Sequence, residues 1–254
     1  MKKNFNDSSF SESENYIIEG RNSVFEALRT GRPIDKILYA EGDKNISHIL
    51  AKAKQLGVVT SKTDRRKLDS LSSSGAHQGV VAFAAAHEYS TIDDILKKAE
   101  ESGRAPLVVV CDEISDPHNL GAIIRSAEAA GAHGVIIPKR RNAGLTAVVS
   151  KVSSGALEHI PVARVSNIPS TLEELKKKGL WVYGTGLSSS VSLYKTDLTG
   201  PCAIVIGSEG DGMGRLVSEC CDVIMNIPMI GKTQSLNASA AAAVVLFEVL
   251  RQRL

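Results

Sequence analysis

Aromatic residues make up only 4% of this 254-residue chain, with a single tryptophan. Base-stacking platforms of the kind that grip single-stranded nucleic acid are therefore poorly supplied. Four cysteines, Cys111, Cys202, Cys220 and Cys221, show neither C-x-x-C spacing nor the pattern of a disulfide framework. The six histidines are scattered without metal-ligand spacing, so reduced thiols and no metal are expected. No long apolar run and no signal or transit pattern is present, which points to a cytoplasmic protein; the sequons at Asn45 and Asn237 are then chance. The formal net charge is only +2, from 30 Lys+Arg and 28 Asp+Glu, so any basic surface must be local. Nucleotide fingerprints are missing as well. Gly231-Lys232-Thr233 ends like a P-loop, but Asn226 stands where its first glycine belongs, and the backbone nest for phosphates is not specified. Gly184 and Gly186 are followed by Ser189 in place of the third glycine of a dinucleotide loop.

What is present is a regular alternation of helix-like and strand-like segments. The first fifteen residues are polar and mixed in charge, and are expected to form a disordered tail over 1–15. A compact α/β unit is expected over 16–86, and a polar helical linker over 87–104, opened by a capping box from Thr91 to Asp94. Beyond it, 105–254 carries apolar, β-branched strands near Leu107, Gly134, Leu180, Ala203 and Val223 with helices between several of them. That pattern specifies an α/β domain with a parallel sheet covered on both faces. The last helix, from about Ala238 to Arg251, is apolar nearly all round and so belongs in a core or a subunit interface. Basic clusters occur at Lys62, Arg65, Arg66 and Lys67, at Lys139-Arg140-Arg141, and at Lys176-Lys177-Lys178. Short runs of this kind usually keep a surface wet.

Open parallel sheets bind ligands at the carboxyl ends of their strands, and three loops there carry polar residues that packing does not require. The first runs from Asp112 to Arg125. Leu120, Ile123, Ile124 and Ala127 fall at helical spacing and turn Arg125 away from the core, while Asn119 alone reads as a helix cap. The second, Gly207-Ser208-Glu209-Gly210-Asp211-Gly212-Met213-Gly214, is either a tight strand-to-helix turn or a close backbone approach to a ligand. Glu209 is hard to explain as a turn residue. The third, from Ile227 to Asn237, places Ser235 and Asn237 before the apolar helix, where either is a natural N-cap.

Taken together, Asp116-Pro-His-Asn-Leu-Gly-Ala-Ile-Ile-Arg125, Gly207-Ser-Glu-Gly210, Ile227-Pro-Met229 and Ser235-Leu-Asn237 resemble the three motifs of the SpoU-type RNA 2'-O-methyltransferases of the SPOUT superfamily. Ile136-Ile-Pro-Lys-Arg-Arg141, Lys151-Val-Ser-Ser-Gly-Ala156, Glu19-Gly-Arg-Asn-Ser-Val-Phe-Glu-Ala-Leu28 and His77-Gln-Gly-Val80 extend the likeness to the subgroup that methylates a 23S ribosomal RNA guanosine. The likeness covers about 16–254. Gly214, where relatives often carry a basic residue, and Ala238, where valine is common, depart from the pattern.

The resemblance implies a catalytic domain with a deep trefoil knot, an L30e-like RNA-binding domain before it, and a homodimer with shared active sites. It implies S-adenosylmethionine held by Gly207, Ile227, Met229, Ser235, Leu236 and Asn237. It makes Arg125 the central catalytic residue, positioned with the ribose by Asn119, Glu209, Ser235 and Asn237. The implied substrate is 23S ribosomal RNA. A transfer-RNA guanosine 2'-O-methyltransferase and a non-catalytic ribosome-assembly factor that binds RNA are the alternatives.

Overall fold

The computed structural model describes residues 17–41, 44–72, 74–186, 191–233 and 235–254; the expected tail over 1–15 lies outside the described residues. The chain divides into two compact units. One holds the described residues up to Glu88 together with Gly144–Ala147, and the other holds Tyr89–Ala143 and Val148–Leu254.

In the first unit the elements are β1 (Ile17–Glu19), α1 (Arg21–Arg29), β2 (Ile34–Ala40), α2 (Ser47–Gln55), β3 (Val59–Thr63), α3 (Arg65–Leu71) and β4 (Val80–Ala84). They build a four-stranded sheet in the order β1-β4-β2-β3, antiparallel except between β2 and β3. Alternation along the strands sends Ile37, Val80 and Ala82 to one face with Val24, Leu28 and Ile49. Leu38 and Val81 go to the other face with Leu68 of α3. Two of the sequence motifs meet here. Gly20 N–H donates to Val80 O at 3.3 Å, and Arg21 donates through Nε to Gln78 O and through its backbone N–H to Gln78 Oε1, both at 3.1 Å.

The second unit contains α4 (Ile92–Ser102), β5 (Leu107–Cys111), α5 (Pro117–Ala129), β6 (Gly134–Pro138), α6 (Ala147–Val152), β7 (Val162–Val165), α7 (Ile168–Lys177) and β8 (Trp181–Thr185). It continues with β9 (Val191–Ser192), β10 (Cys202–Ile206), α8 (Arg215–Glu219), β11 (Val223–Asn226) and α9 (Ala238–Arg253). Its seven strands run parallel in the order β7-β6-β5-β10-β8-β11-β9. Val108, Val109 and Val110, and Ile204 and Val205, are fully buried, as strands covered on both faces must be. The expected capping box is present, Thr91 and Asp94 each bonding the other's backbone. The helix it opens lies in the stretch expected to link the units, yet it packs within the second: Ile95 sits in that core. A Cβ at Gly134 would lie 2.4 Å from Ile95 Cγ1, so only glycine lets α4 rest on β6 at this depth.

The last helix packs against α5 and β10, burying Ala242, Val245, Leu246 and Val249. Its end is tied down by Arg253, whose guanidinium donates to Ala105 O at 2.7 Å, Gly200 O at 2.6 Å and Leu198 O at 3.1 Å. Nearby His133 is buried, accepting from Leu107 N–H at Nδ1 (3.0 Å) and bonding Ser102 Oγ through Nε2 (2.9 Å). Burial first, then the Arg104 and Arg253 guanidiniums, push its pKa down to about 4. The unfolded chain, with histidine near 6.5, then binds more protons than the folded one between pH 6.5 and 4. Stability is complete above this window and falls by about 3 kcal/mol on acidification through it. Urea midpoints at pH 7 and pH 4.5 should differ far less in His133→Gln than in the wild type; parallel shifts would refute this origin. Burial also raises the Cys111 and Cys221 thiols to about 12 and Cys202 to about 11, so these three are inert at neutral pH.

Candidate active site

The sheet order changes direction between β5 and β10, and the loops leaving their carboxyl ends flank that switch point. Asp112, the residue after β5, fastens the two together: its N–H donates to Ile206 O at 2.8 Å and its Oδ2 accepts from Gly214 N–H at 2.8 Å. Burial raises the Asp112 carboxyl's pKa, the Gly214 bond opposing it. Between these ties the glycine loop is closed by Ser208 N–H to Gly212 O (2.9 Å) and Gly212 N–H to Ser208 O (3.1 Å). Gly210 and Gly212 take φ of +90° and +69°, values that side chains resist. A Cβ on Gly207 would meet Gly212 C at 2.3 Å and Met213 N at 2.4 Å. The turn is thus so tight that it excludes any side chain at its first residue, and it leaves Glu209 projecting at the tip.

The helix after β5 is capped by Asp116, whose Oδ1 accepts from His118 N–H at 2.8 Å, with Pro117 at its first position. Asn119 is therefore not the cap. Its side chain is nearly buried and turned into the site, Nδ2 donating to Glu209 Oε1 at 3.2 Å. At the head of α9, Asn237 does two things. Its Oδ1 accepts from Ser239 and Ala240 N–H at 3.0 and 3.2 Å, capping the helix. Its Nδ2 donates to Asn119 Oδ1 at 2.9 Å and to Glu209 Oε1. Ala238 N–H adds a further bond to the same oxygen at 3.3 Å. Donors from the first and third loops thus converge on one carboxylate oxygen of the second, and Glu209 Oε2 makes no hydrogen bond to a described residue.

Arg125 lies apart from this cluster. Leu120, Ile123, Ile124 and Ala127 are fully buried, and Arg125 faces outward, as helical spacing predicts. Six residues at 100° each set it about 120° around the helix and about 9 Å along it from Asn119. Its Nη1 donates to Ser154 Oγ at 3.3 Å, and no carboxylate among the described residues pairs with it. Ser154, at φ +51°, sits in the turn after α6. That helix lies close on α5, where a Cβ at Gly121 would come 2.8 Å from Val152 Cβ. Ser235 is exposed and bonds to no described residue. Ile227 is half-buried, and Met229, Ile230 and Leu236 are exposed apolar residues on the loop before α9. Asp112 opens the first of the three loops and Ser154 lies in the Lys151–Ala156 motif, yet neither carries a role in the sequence reading. An acid directly after a strand and facing a glycine loop was the available signal for Asp112; for Ser154 the signal was only its place in that motif.

Among the described residues no group of three His, Cys, Asp or Glu side chains is disposed to hold a metal, and no helix is long and apolar enough to cross a membrane. Residues 106–247 match the model of the SpoU rRNA methylase family, and residues 17–90 that of RNA 2'-O ribose methyltransferase substrate binding. A Bacillus subtilis (strain 168) protein, assigned by name to the TrmH family of tRNA/rRNA methyltransferases, is 49% identical over 245 residues, 96% of this chain and 98% of its own. The AdoMet-bound rRNA methyltransferase of Sinorhizobium meliloti has the same fold at a TM-score of 0.61 with 27% identity, over 94% of this chain and 88% of that one. The A. aeolicus TrmH/SpoU tRNA modifying enzyme reaches a TM-score of 0.55 with 29% identity, over 63% of this chain and 83% of its own. With a family model spanning the whole of the parallel sheet's core and relatives that align nearly end to end, this chain belongs to the SpoU rRNA methylase family.

Proposed function

We propose that the chain methylates a ribose 2'-hydroxyl of RNA, a guanosine of 23S ribosomal RNA, using S-adenosylmethionine. The observation that carries this reading is the convergence of Asn119, Glu209 and Asn237 from three loops at one switch point. The S. meliloti rRNA enzyme aligns over 94% of the chain and the A. aeolicus tRNA enzyme over 63%, which favours ribosomal over transfer RNA.

The residues present fit the cofactor. Backbone groups follow the tight turn at Gly207, and the exposed flanks of Met229 and Leu236 offer apolar surface of the kind an adenine or a methionine chain covers. Ile227, Ser235 and Asn237 complete that set. Bound S-adenosylmethionine supplies an electrophilic methyl group. The chain's part is to align the attacking oxygen and steady its charge. Glu209, with Oε1 held by Asn119 and Asn237, presents Oε2 to a hydroxyl or amine of the ligands. Arg125 binds the target phosphate and stabilises the negative charge that builds on the 2'-oxygen as its proton passes to water. A guanidinium does not serve as the base, because it keeps its proton in proteins.

The 120° divergence of Arg125 from the Asn119 cluster supports a homodimer in which one protomer's Arg125 completes the other's site. The strand order, with β8 lying between β10 and β11, accords with a trefoil-knotted backbone around these loops. The test is incubation with tritiated S-adenosylmethionine and 23S ribosomal or transfer RNA from cells lacking the gene, then nuclease mapping. A ribose-methylated guanosine in 23S RNA is expected. Label in transfer RNA alone would overturn the substrate, and cofactor binding with no label on either RNA or on precursor ribosomal particles would favour an assembly factor.

A further inference from the structure

The loops after β5 and β6 are unusual in their backbone. Glu113 and Arg141 take φ of +59° and +58°, although neither is a glycine or asparagine, and each such residue costs about 1 kcal/mol or more. Their side chains pair with each other, Arg141 Nη1 to Glu113 Oε1 at 2.9 Å. That pair is largely exposed, with 78% and 46% of the two side chains open to solvent, and surface pairs contribute at most about 1 kcal/mol. It is too weak to hold two left-handed residues by itself. The holding is done by bonds beneath it: Ile114 N–H to Asn142 Oδ1 and Ala143 N–H to Ile114 O, both at 2.8 Å. On the far side Lys139 N–H donates to Val165 O at 2.7 Å, and Arg164, stacked 5.2 Å over the Tyr89 ring, donates to Lys139 O at 3.2 Å. A rigid frame therefore displays Arg140 and Arg141. Arg140 is exposed and bonds to no described residue. Parallel pairing of β5 with β6 sets this frame at the same carboxyl edge as the loop that leads, six residues after Glu113, to Asn119.

We infer that the segment 139–143 is a phosphate-gripping arm for the RNA strand. Arg140 is its standing contact, and Arg141 exchanges the Glu113 carboxylate for an RNA phosphate. A planar guanidinium binds phosphate through two parallel bonds, whereas here it spends one on an exposed carboxylate, so the exchange is favourable once RNA is near. Glu113 keeps the unoccupied arm from gripping polyanions indiscriminately. The inference rests on the RNA-methyltransferase reading above.

The test uses the full chain and its Arg140→Ala, Arg141→Ala, Arg140→Lys and Glu113→Gln variants. RNA affinity is measured across a salt series, alongside single-turnover methyl transfer to 23S RNA and to transfer RNA, and S-adenosylmethionine affinity. Each arginine-to-alanine change is expected to weaken RNA binding roughly five- to tenfold and to lower the log–log salt slope by about 0.7 to 1. Arg140→Lys should restore the slope, since one phosphate is still neutralised. Glu113→Gln should tighten RNA binding several-fold at low salt, and cofactor affinity should not move in any variant. A wild type that methylates RNA while both alanine variants keep its affinity and slope overturns the arm alone. A wild type that methylates neither RNA overturns the methyltransferase reading, and the arm with it.

Discussion

Arg125→Ala is expected to lower single-turnover methyl transfer about a thousandfold, the loss typical when a preorganised donor to a developing oxyanion is removed. The same variant should bind S-adenosylmethionine within about twofold of wild type and melt at nearly the same temperature. Arg125 is exposed and has only a 3.3 Å contact to Ser154, and surface changes of this kind shift stability by about 0.5 kcal/mol or less. Arg125→Lys separates the charge from the fork. Lysine keeps a cation but presents a point charge in place of parallel donors, so a rate still reduced by tens-fold or more is expected. A near-normal rate for Arg125→Lys would defeat the phosphate-clamp role, and a thousandfold loss accompanied by lost cofactor binding would move Arg125 to the cofactor side.

The second large effect is expected from a single methyl group. In Gly207→Ala the new Cβ would overlap the backbone of Gly212 and Met213 at 2.3 to 2.4 Å, and backbone, unlike a side-chain tip, has no rotamer to escape into. The loop must open, and with it the approach of Glu209 to Asn119 and Asn237. Cofactor affinity measured by calorimetry should fall at least about a hundredfold, equivalent to about 2.7 kcal/mol, while the circular dichroism of the sheet and helices is retained. Unchanged affinity would show that the turn's tightness serves packing and not ligand binding.

Periodicity and residue type made much of this legible in advance. β-branched runs gave β5, β6, β8, β10 and β11, because strands buried on both faces need no polar alternation. The spacing of Leu120, Ile123, Ile124 and Ala127 set the direction of Arg125. β7 was not legible: Val162–Val165 is four residues long, interrupted by Arg164, and bounded by Pro161. Two-residue β9 and three-residue β1 exist only by pairing with neighbours distant in sequence, a tertiary cause with no local signature. The candidate site was legible in its residue types and illegible in its partnerships. Asn119 reads locally as a cap until Asp116 is seen to hold that place, and its actual partners stand 90 and 118 residues away.

Those separations bear on how the protein comes into being. Asn237 both starts the last helix and joins Asn119 to Glu209, so a chain that stops before it cannot carry the assembled cluster. At about 5–20 residues per second of synthesis, some 118 residues separate Asn119 from the partner it needs, a delay on the order of ten seconds. On the role proposed for the cluster, a nascent or clipped polypeptide lacking its final eighteen residues, Asn237 among them, would hold every strand of the sheet and still be inert. Competence to act is thereby made a late event in the molecule's own production.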